Sequence, residues 1–313
     1  MMDHGGHPGG HRDHGMPIGD ARALKISGWL TGIYFVIELA IGIWTGSVAV
    51  MSDAFHTFSA VGGVLVALVA ANFASRPASQ YATFGLIRAE IVGALLNGLF
   101  LLGMAFLIVW MGIQRLRNPI DIPTTPMLVA AAGGLVTEFV SLRLLYGRQK
   151  GNLNMKGAYW HILQTFFGSL IIIVAALVIR FTGFLAIDPI LGMLFGLALF
   201  WASWGLIGES TRILLDTVPR DLDLGEVTAA VSGFPAVLNV HHAHAWALTS
   251  GKNIVSMHVL VRTLDGAESL QRQIQELMSN RFGVYFSTVQ VETECLETEE
   301  SAAIDFSAEP AQP

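Results

Sequence analysis

Ten histidines fall in three places along the chain, and the two at positions 56 and 161 are the hardest to explain as ordinary structure. Each lies inside a long apolar run, SDAFHTFSAVGGVLVALVA at 52–70 and AYWHILQTFFGSLIIIVAALVI at 158–179. An ionisable ring in a lipid-spanning helix is costly and rare, so two in comparable positions point to a functional site. Neutral imidazole is the commonest protein ligand for zinc and suits several other first-row metals, whereas magnesium and calcium prefer oxygen. His56 with position 60 and His161 with position 165 are i,i+4 pairs, each on one helix face. Two such faces opposed across a bundle would place four side chains around one point, as a tetrahedral ion requires.

Position 60 is Ala and offers no ligand, while Thr165 offers only a neutral hydroxyl. Two imidazoles alone leave a doubly charged ion under-coordinated and its charge uncompensated in a low-dielectric setting. Four acids could answer that deficit. Asp53 stands one turn before His56, Glu38 falls in the first apolar run, Glu90 opens the third and Glu138 lies in the middle of the fourth. Glu138 reads as a direct metal ligand, as a partner of Arg143 or as the lining of a water-filled cavity. Asp53 reads as a ligand, an exit-path residue or a helix-packing group, and interhelical hydrogen bonding is the structural alternative for both histidines.

The elements that must position these residues are membrane helices. Hydrophobic residues make up 53% of the chain and charged ones 13%, with a mean hydropathy of +0.56, the profile of a polytopic membrane protein rather than a soluble enzyme. Six stretches reach the roughly 20 residues that cross a bilayer. They lie near 24–44, 48–72, 87–112, 127–147, 158–181 and 187–208, with short loops, and predict a six-transmembrane-helix bundle. Arg22, Lys25, Arg76, Arg88, Arg143, Arg148, Lys150 and Lys156 outnumber Arg115, Arg117 and Arg180 on the opposite side. Both termini are thereby expected on the cytoplasmic side of the cell (inner) membrane. The opening segment has no apolar core and is not expected to act as a secretory signal.

Beyond Gly208 the pattern turns to soluble α+β. Residues 209–313 carry 6 Lys+Arg against 15 Asp+Glu, an acidic excess that argues against nucleic acid as a partner. A helix at 224–234, strands at 237–247 and 253–261, a helix at 267–282 and a strand at 288–292 predict a C-terminal cytosolic ferredoxin-like domain. Four parts follow: a His-rich tail at 1–20, the membrane domain at 21–208, the cytosolic domain at 209–296 and an acidic tail at 297–313. His4, His7, His11 and His14 among glycines suggest a weak metal-collecting tract. Strand alternation puts His242 and His244 on the face opposite His241, with His244 either a ligand or a packed histidine beside Trp246. The single cysteine, Cys295, rules out an intrachain disulfide and a Cys-rich zinc site. No nucleophile–base pair or phosphate loop is visible, so no enzymatic activity and no catalytic cofactor are expected.

Several segments in order, SVAVMSDAFHTFS, YATFGLIRAEIVGALLNGLF, NLNMKGAYWHIL, AIDPILGMLFGL, RILLDTVP and NVHHAHAWALTSGKNIVSMHV, resemble the cation diffusion facilitators, membrane exporters of zinc and related divalent metals. The resemblance runs from about Ala23 to Glu292. It implies six membrane helices, a metal site built from His-x-x-x-Asp on the second and fifth, and a cytosolic α+β domain. Both aspartates are replaced here, by Ala60 and Thr165. In GGLVTEFVSLRLL the family usually has asparagine where this chain has Glu138, which suggests a rearranged site. His241, His258 and Glu292 match the family's cytosolic metal positions, and Gln290 falls where some members have another histidine. Asp188 and Pro189 match a helix-entry motif, where Pro suits the first turn and an acid favours its dipole.

The resemblance implies a homodimeric exporter, with a heterodimer also open, that exchanges a divalent transition metal, zinc first, for protons across the lipid bilayer. The competing reading is a transport-incompetent relative serving as a metal-sensing or structural subunit. A third is deliberate replacement of former aspartates at positions 60 and 165.

Overall fold

Short polar punctuation cuts the apolar sequence into helices. The computed structural model describes residues 18–74, 76–146 and 153–295, leaving out the side chains of 18–24, 59–68, 70, 71, 74, 153–158 and 160. The tails at 1–17 and 296–313, with their expected histidine tract and acidic end, lie outside that description, as do Arg148 and Lys150.

Six long helices come first: α1 (Ile18–Thr45), α2 (Val48–Ala74), α3 (Ala89–Arg117), α4 (Thr124–Leu145), α5 (Leu153–Thr182) and α6 (Ile187–Leu214). Among the described residues, five of them are long and apolar enough to span a membrane; the side chains of 59–68 in α2 fall outside that survey. Trp29, Trp44, Phe181 and Trp201 point outward from these helices, as side chains facing lipid do. Small polar residues such as Ser47, Ser52, Ser141, Ser169 and Ser203 are buried, the usual interior of a membrane bundle.

The chain divides into two compact units, 1–62 with 101–200 and 63–100 with 201–313. In the first, Ala49 and Val50 of α2 pack with Met127 and Ala131 of α4 and Ile172, Ala175 and Ala176 of α5. Val48 also joins Leu101, Ala105, Ile108 and Leu199. Gly192 is required here, because a Cβ at that position would meet the Val48 backbone at 2.8 Å.

The junction of α1 and α2 is tightly bonded. Gly46 adopts a φ of 66°, the left-handed conformation that ends a helix, and its N–H reaches Gly42 O at 2.9 Å. Ser47 then caps α2, its Oγ accepting from Val50 N at 3.2 Å. The carboxylate of Asp188 takes the two remaining first-turn donors, Val48 N at 2.7 Å and Ala49 N at 3.3 Å, and also the Ser47 hydroxyl. Asp188 therefore supports α2 as well as opening α6, a role at 140 residues' separation that the motif alone does not suggest. Changing Asp188→Ala strands buried donors at the head of the helix that carries Asp53 and His56. It is expected to destabilise the fold by about 2–3 kcal/mol, read as a lower unfolding midpoint of the detergent-solubilised chain.

The second unit holds α7 (Leu224–Ser232), β1 (Val237–Thr249), β2 (Lys252–Val261), α8 (Ala267–Phe282) and β3 (Phe286–Glu292), a ferredoxin-like α-β-β-α-β order. Asp223 caps α7 through Glu226 N at 3.1 Å. β1 and β2 form an antiparallel hairpin whose turn uses Gly251 at φ 74°. β3 joins β2 in parallel, which requires a crossover element, and α8 supplies it. Leu270, Ile274 and Met278 recur at i, i+4, i+8 and bury one face of α8 against Val255, Met257, Val259 and Val261 of β2. In the same unit Arg88 pairs with Asp216, and Glu90 accepts from Thr249 Oγ1 at 2.9 Å. Glu90 is thus used at the end of β1.

Candidate metal sites

His56 on α2 and His161 on α5 face each other, with ring centroids 5.0 Å apart and planes inclined by 37°. Neither Nε2 has a hydrogen-bond partner, although both are buried. Phe195 of α6 meets His56 edge-on at 5.5 Å and gives that ring an apolar wall. A buried imidazole nitrogen without a partner is costly, so the geometry disfavours interhelical hydrogen bonding as the purpose of these rings.

The carboxylates form a second group. Glu138 of α4 is 6% exposed; its Oε1 accepts from Ser169 Oγ at 3.1 Å and its Oε2 has no partner. It lies against Thr165, whose own hydroxyl turns back to Ile162 O at 2.9 Å. Asp53 of α2 rests its carboxylate on Gly168 of α5, one turn beyond Thr165. Glu38 of α1 is wholly buried, with its carboxyl beside that of Asp53, and interacts electrostatically with Asp53 and Glu138. Tyr34 fixes α1 to α4 through a 2.5 Å bond to Ala130 O. Thus α2 and α5 bring the two imidazoles together and α1, α2 and α4 the three acids, all buried in the same unit; the side chain of Ala60 lies outside the described residues.

Glycine makes that approach feasible, since a Cβ at position 168 would fall inside the Asp53 carboxylate. Gly168→Ala is expected to push α2 from α5, separate the two rings and lower metal affinity about 10-fold or more, as measured by equilibrium dialysis of the solubilised chain. Unchanged affinity would show that the Asp53–Gly168 contact does not hold the site together.

The soluble domain carries the denser donor set. His241 and His258 are cross-strand partners in register, with ring centroids 5.4 Å apart. His241 Nε2 lies 2.9 Å from Glu292 Oε1, and His258 Nδ1 lies 3.4 Å from Glu292 Oε2. Gln290 Nε2 donates to Glu292 Oε2 at 2.6 Å and orients the carboxylate. Among the described residues, His241, Glu292 and Cys295 form the one group of three His, Cys, Asp or Glu donors lying within 4.8 Å of one another. The membrane donors form a ring pair and a separate carboxylate group instead of a closed shell.

Strand alternation misplaces two histidines. His242 adopts a φ of 46° in a bulge between His241 and His244, and this extra residue shifts the phase of β1. Ala243 and Ala245 face the domain core, while His244 pairs with Ser256 on the side that carries His258. His244 consequently shares the face of His241 rather than opposing it. The His242 ring sits 5.3 Å from that of His258 and 6.1 Å from that of His244. A non-glycine left-handed residue leaves no sequence signal that would have revealed this.

Apolar helices around a buried polar interior make this an integral membrane protein, and imidazole donors in both its parts fit one that handles transition metal ions. Residues 24–215 match the cation efflux transmembrane domain and residues 219–294 match the cytoplasmic domain of cation efflux proteins. The cation efflux system protein CzcD of Alcaligenes sp. is 36% identical over 304 residues, covering 97% of this chain and 96% of that protein. A cadmium, cobalt and zinc/H(+)-K(+) antiporter of Bacillus subtilis is 33% identical over 87% of this chain and 89% of its own length. The zinc transporter ZitB of Escherichia coli is 33% identical, covering 87% and 88% respectively. The chain belongs to the cation efflux family, the cation diffusion facilitators of divalent metals, whose members are transporters and not enzymes.

Proposed function

We propose that the protein exports a divalent transition metal ion, zinc first, from the cytoplasm across the inner membrane in exchange for protons. It works as a homodimer with both termini cytoplasmic. A membrane part at 21–208 moves the ion and a soluble part at 209–296 binds metal, between tails at 1–20 and 297–313. The observation that carries this reading is the facing pair His56 and His161 with unbonded, buried Nε2 atoms. In this reading the two imidazoles bind the ion, and Glu138 and Asp53 supply the negative charge that Ala60 and Thr165 do not, with the Thr165 hydroxyl beside them. Imidazole binds metal only when neutral, so protons arriving from the far side displace the ion and return inward on the same groups. His241, His258 and Glu292 hold a cytosolic ion, with His244 on the same face. The zinc, cadmium and cobalt named for two of the three relatives above support the choice of ion.

Zinc flux into proteoliposomes holding the purified chain, with and without an opposing pH gradient, tests the proposal. Flux that rises with the gradient and collapses when a protonophore dissipates it is expected. Absence of flux for zinc, cobalt, cadmium, nickel, iron and manganese alike would overturn it in favour of a non-transporting, metal-sensing subunit.

A further inference from the structure

We propose that Cys295 is a thiolate ligand of the cytosolic metal site. This rests on the reading that His241, His258 and Glu292 bind an ion there. The chain leaves β3 at Glu292 and turns back within three residues, which brings Cys295 Sγ to 3.3 Å from His241 Nε2. That nitrogen already lies 2.9 Å from Glu292 Oε1. One ring nitrogen has one lone pair or one proton, so it satisfies one of these neighbours fully and not both. An ion placed among the donors satisfies all of them at once.

The spacing fits. Ion–donor bonds of about 2.0–2.3 Å put the corners of a tetrahedron roughly 3.3–3.8 Å apart. The separations of 2.9 and 3.3 Å from His241 Nε2 to Glu292 Oε1 and Cys295 Sγ need an expansion of only a few tenths of an ångström, while His258, 3.4 Å from the other Glu292 oxygen, lies outside this group of three and must turn inward to join it. Charge fits as well. A thiolate and a carboxylate offset the two positive charges of the ion; the neutral imidazole of His241 makes a third donor, and that of His258, once turned inward, a fourth. Neutrality matters because the side chains of His241 and Glu292 are only 7% and 10% exposed, and an unbalanced charge there would be poorly solvated. Cys295 itself is exposed, so its proton leaves directly to solvent when the metal–sulfur bond forms. A soft sulfur donor selects zinc or cadmium over magnesium, calcium and manganese. In this site the thiolate, not the histidines alone, sets that selectivity.

Cys295 is the sole cysteine of the chain, so any metal–sulfur signal reports on it alone. The test titrates the full, metal-stripped chain in detergent with cobalt(II), following sulfur-to-cobalt charge transfer in the near ultraviolet and bound cobalt by dialysis. A saturating charge-transfer band is expected, lost in both Cys295→Ser and His241→Ala. Cys295→Ser should retain His241-dependent cobalt at about 10-fold or more weaker affinity. Cadmium should slow alkylation of Cys295 by a similar factor. His241-dependent cobalt binding without a band or protection would overturn the thiolate ligand and leave the histidine site standing. A band that survives His241→Ala would place the thiolate at another site and equally overturn the proposal. No cobalt binding sensitive to His241→Ala would overturn the cytosolic site itself.

Discussion

Glu138→Gln is expected to abolish zinc transport by the natural chain while leaving the protein folded and inserted. Gln keeps the shape of Glu and can still accept from Ser169, so the 3.1 Å bond to that hydroxyl survives. What disappears is a negative charge beside Thr165, where the family resemblance would place an aspartate. Loss of an outer-sphere partner alone typically costs roughly 10–100-fold in metal affinity, so removal of a charge-balancing ligand should cost at least about 100-fold. Zinc flux in proteoliposomes, normalised to inserted protein, measures it. Equal flux from the natural chain and its Glu138→Gln form would remove Glu138 from the site and leave the ion's charge to Asp53 and Glu38.

The second large effect is a gain. Ala60→Asp with Thr165→Asp restores carboxylates one turn beyond His56 and His161, on the faces those rings already occupy. Zinc affinity should rise by about 100-fold or more, as two anionic ligands complete the shell. Without metal the doubly substituted chain should be less stable, because the acid at buried position 165 joins Glu38, Asp53 and Glu138. Zinc should therefore raise its unfolding midpoint further than it raises that of the natural chain. In this background Glu138→Gln should matter little, since its charge is no longer needed. No change in zinc binding would mean that the faces of α2 and α5 do not converge at positions 60 and 165.

How much of this was legible depended on whether the signal was local. The helices, the α-β-β-α-β order and the resemblance to cation diffusion facilitators rest on runs of neighbouring residues. Histidine in an apolar run is likewise conspicuous, so His56 and His161 stood out before their facing geometry was seen. Glu138 was noticeable as an unexpected acid, but its position beside Thr165 depends on how α4 packs on α5. Asp188 looked like a helix-entry residue of α6 because nothing in its surroundings reveals that it bonds the first turn of α2. Alternation places His242 and His244 opposite His241, which holds only while no residue is inserted. The left-handed conformation at His242 inserts one and carries His244 to the face of His241. In the sequence Cys295 reads only as too few cysteines for a thiol-rich site, because its approach to His241 arises from a turn after the last strand.

The central claim is that the His56–His161 pair binds the transported ion. Zinc flux through His56→Ala and His161→Ala, each reconstituted and compared with the natural chain at equal protein content, tests this most directly. Both substitutions should eliminate flux while His241-dependent cobalt binding by the same preparations stays intact, separating loss of the membrane site from loss of the fold. Full zinc flux from either variant would contradict the claim.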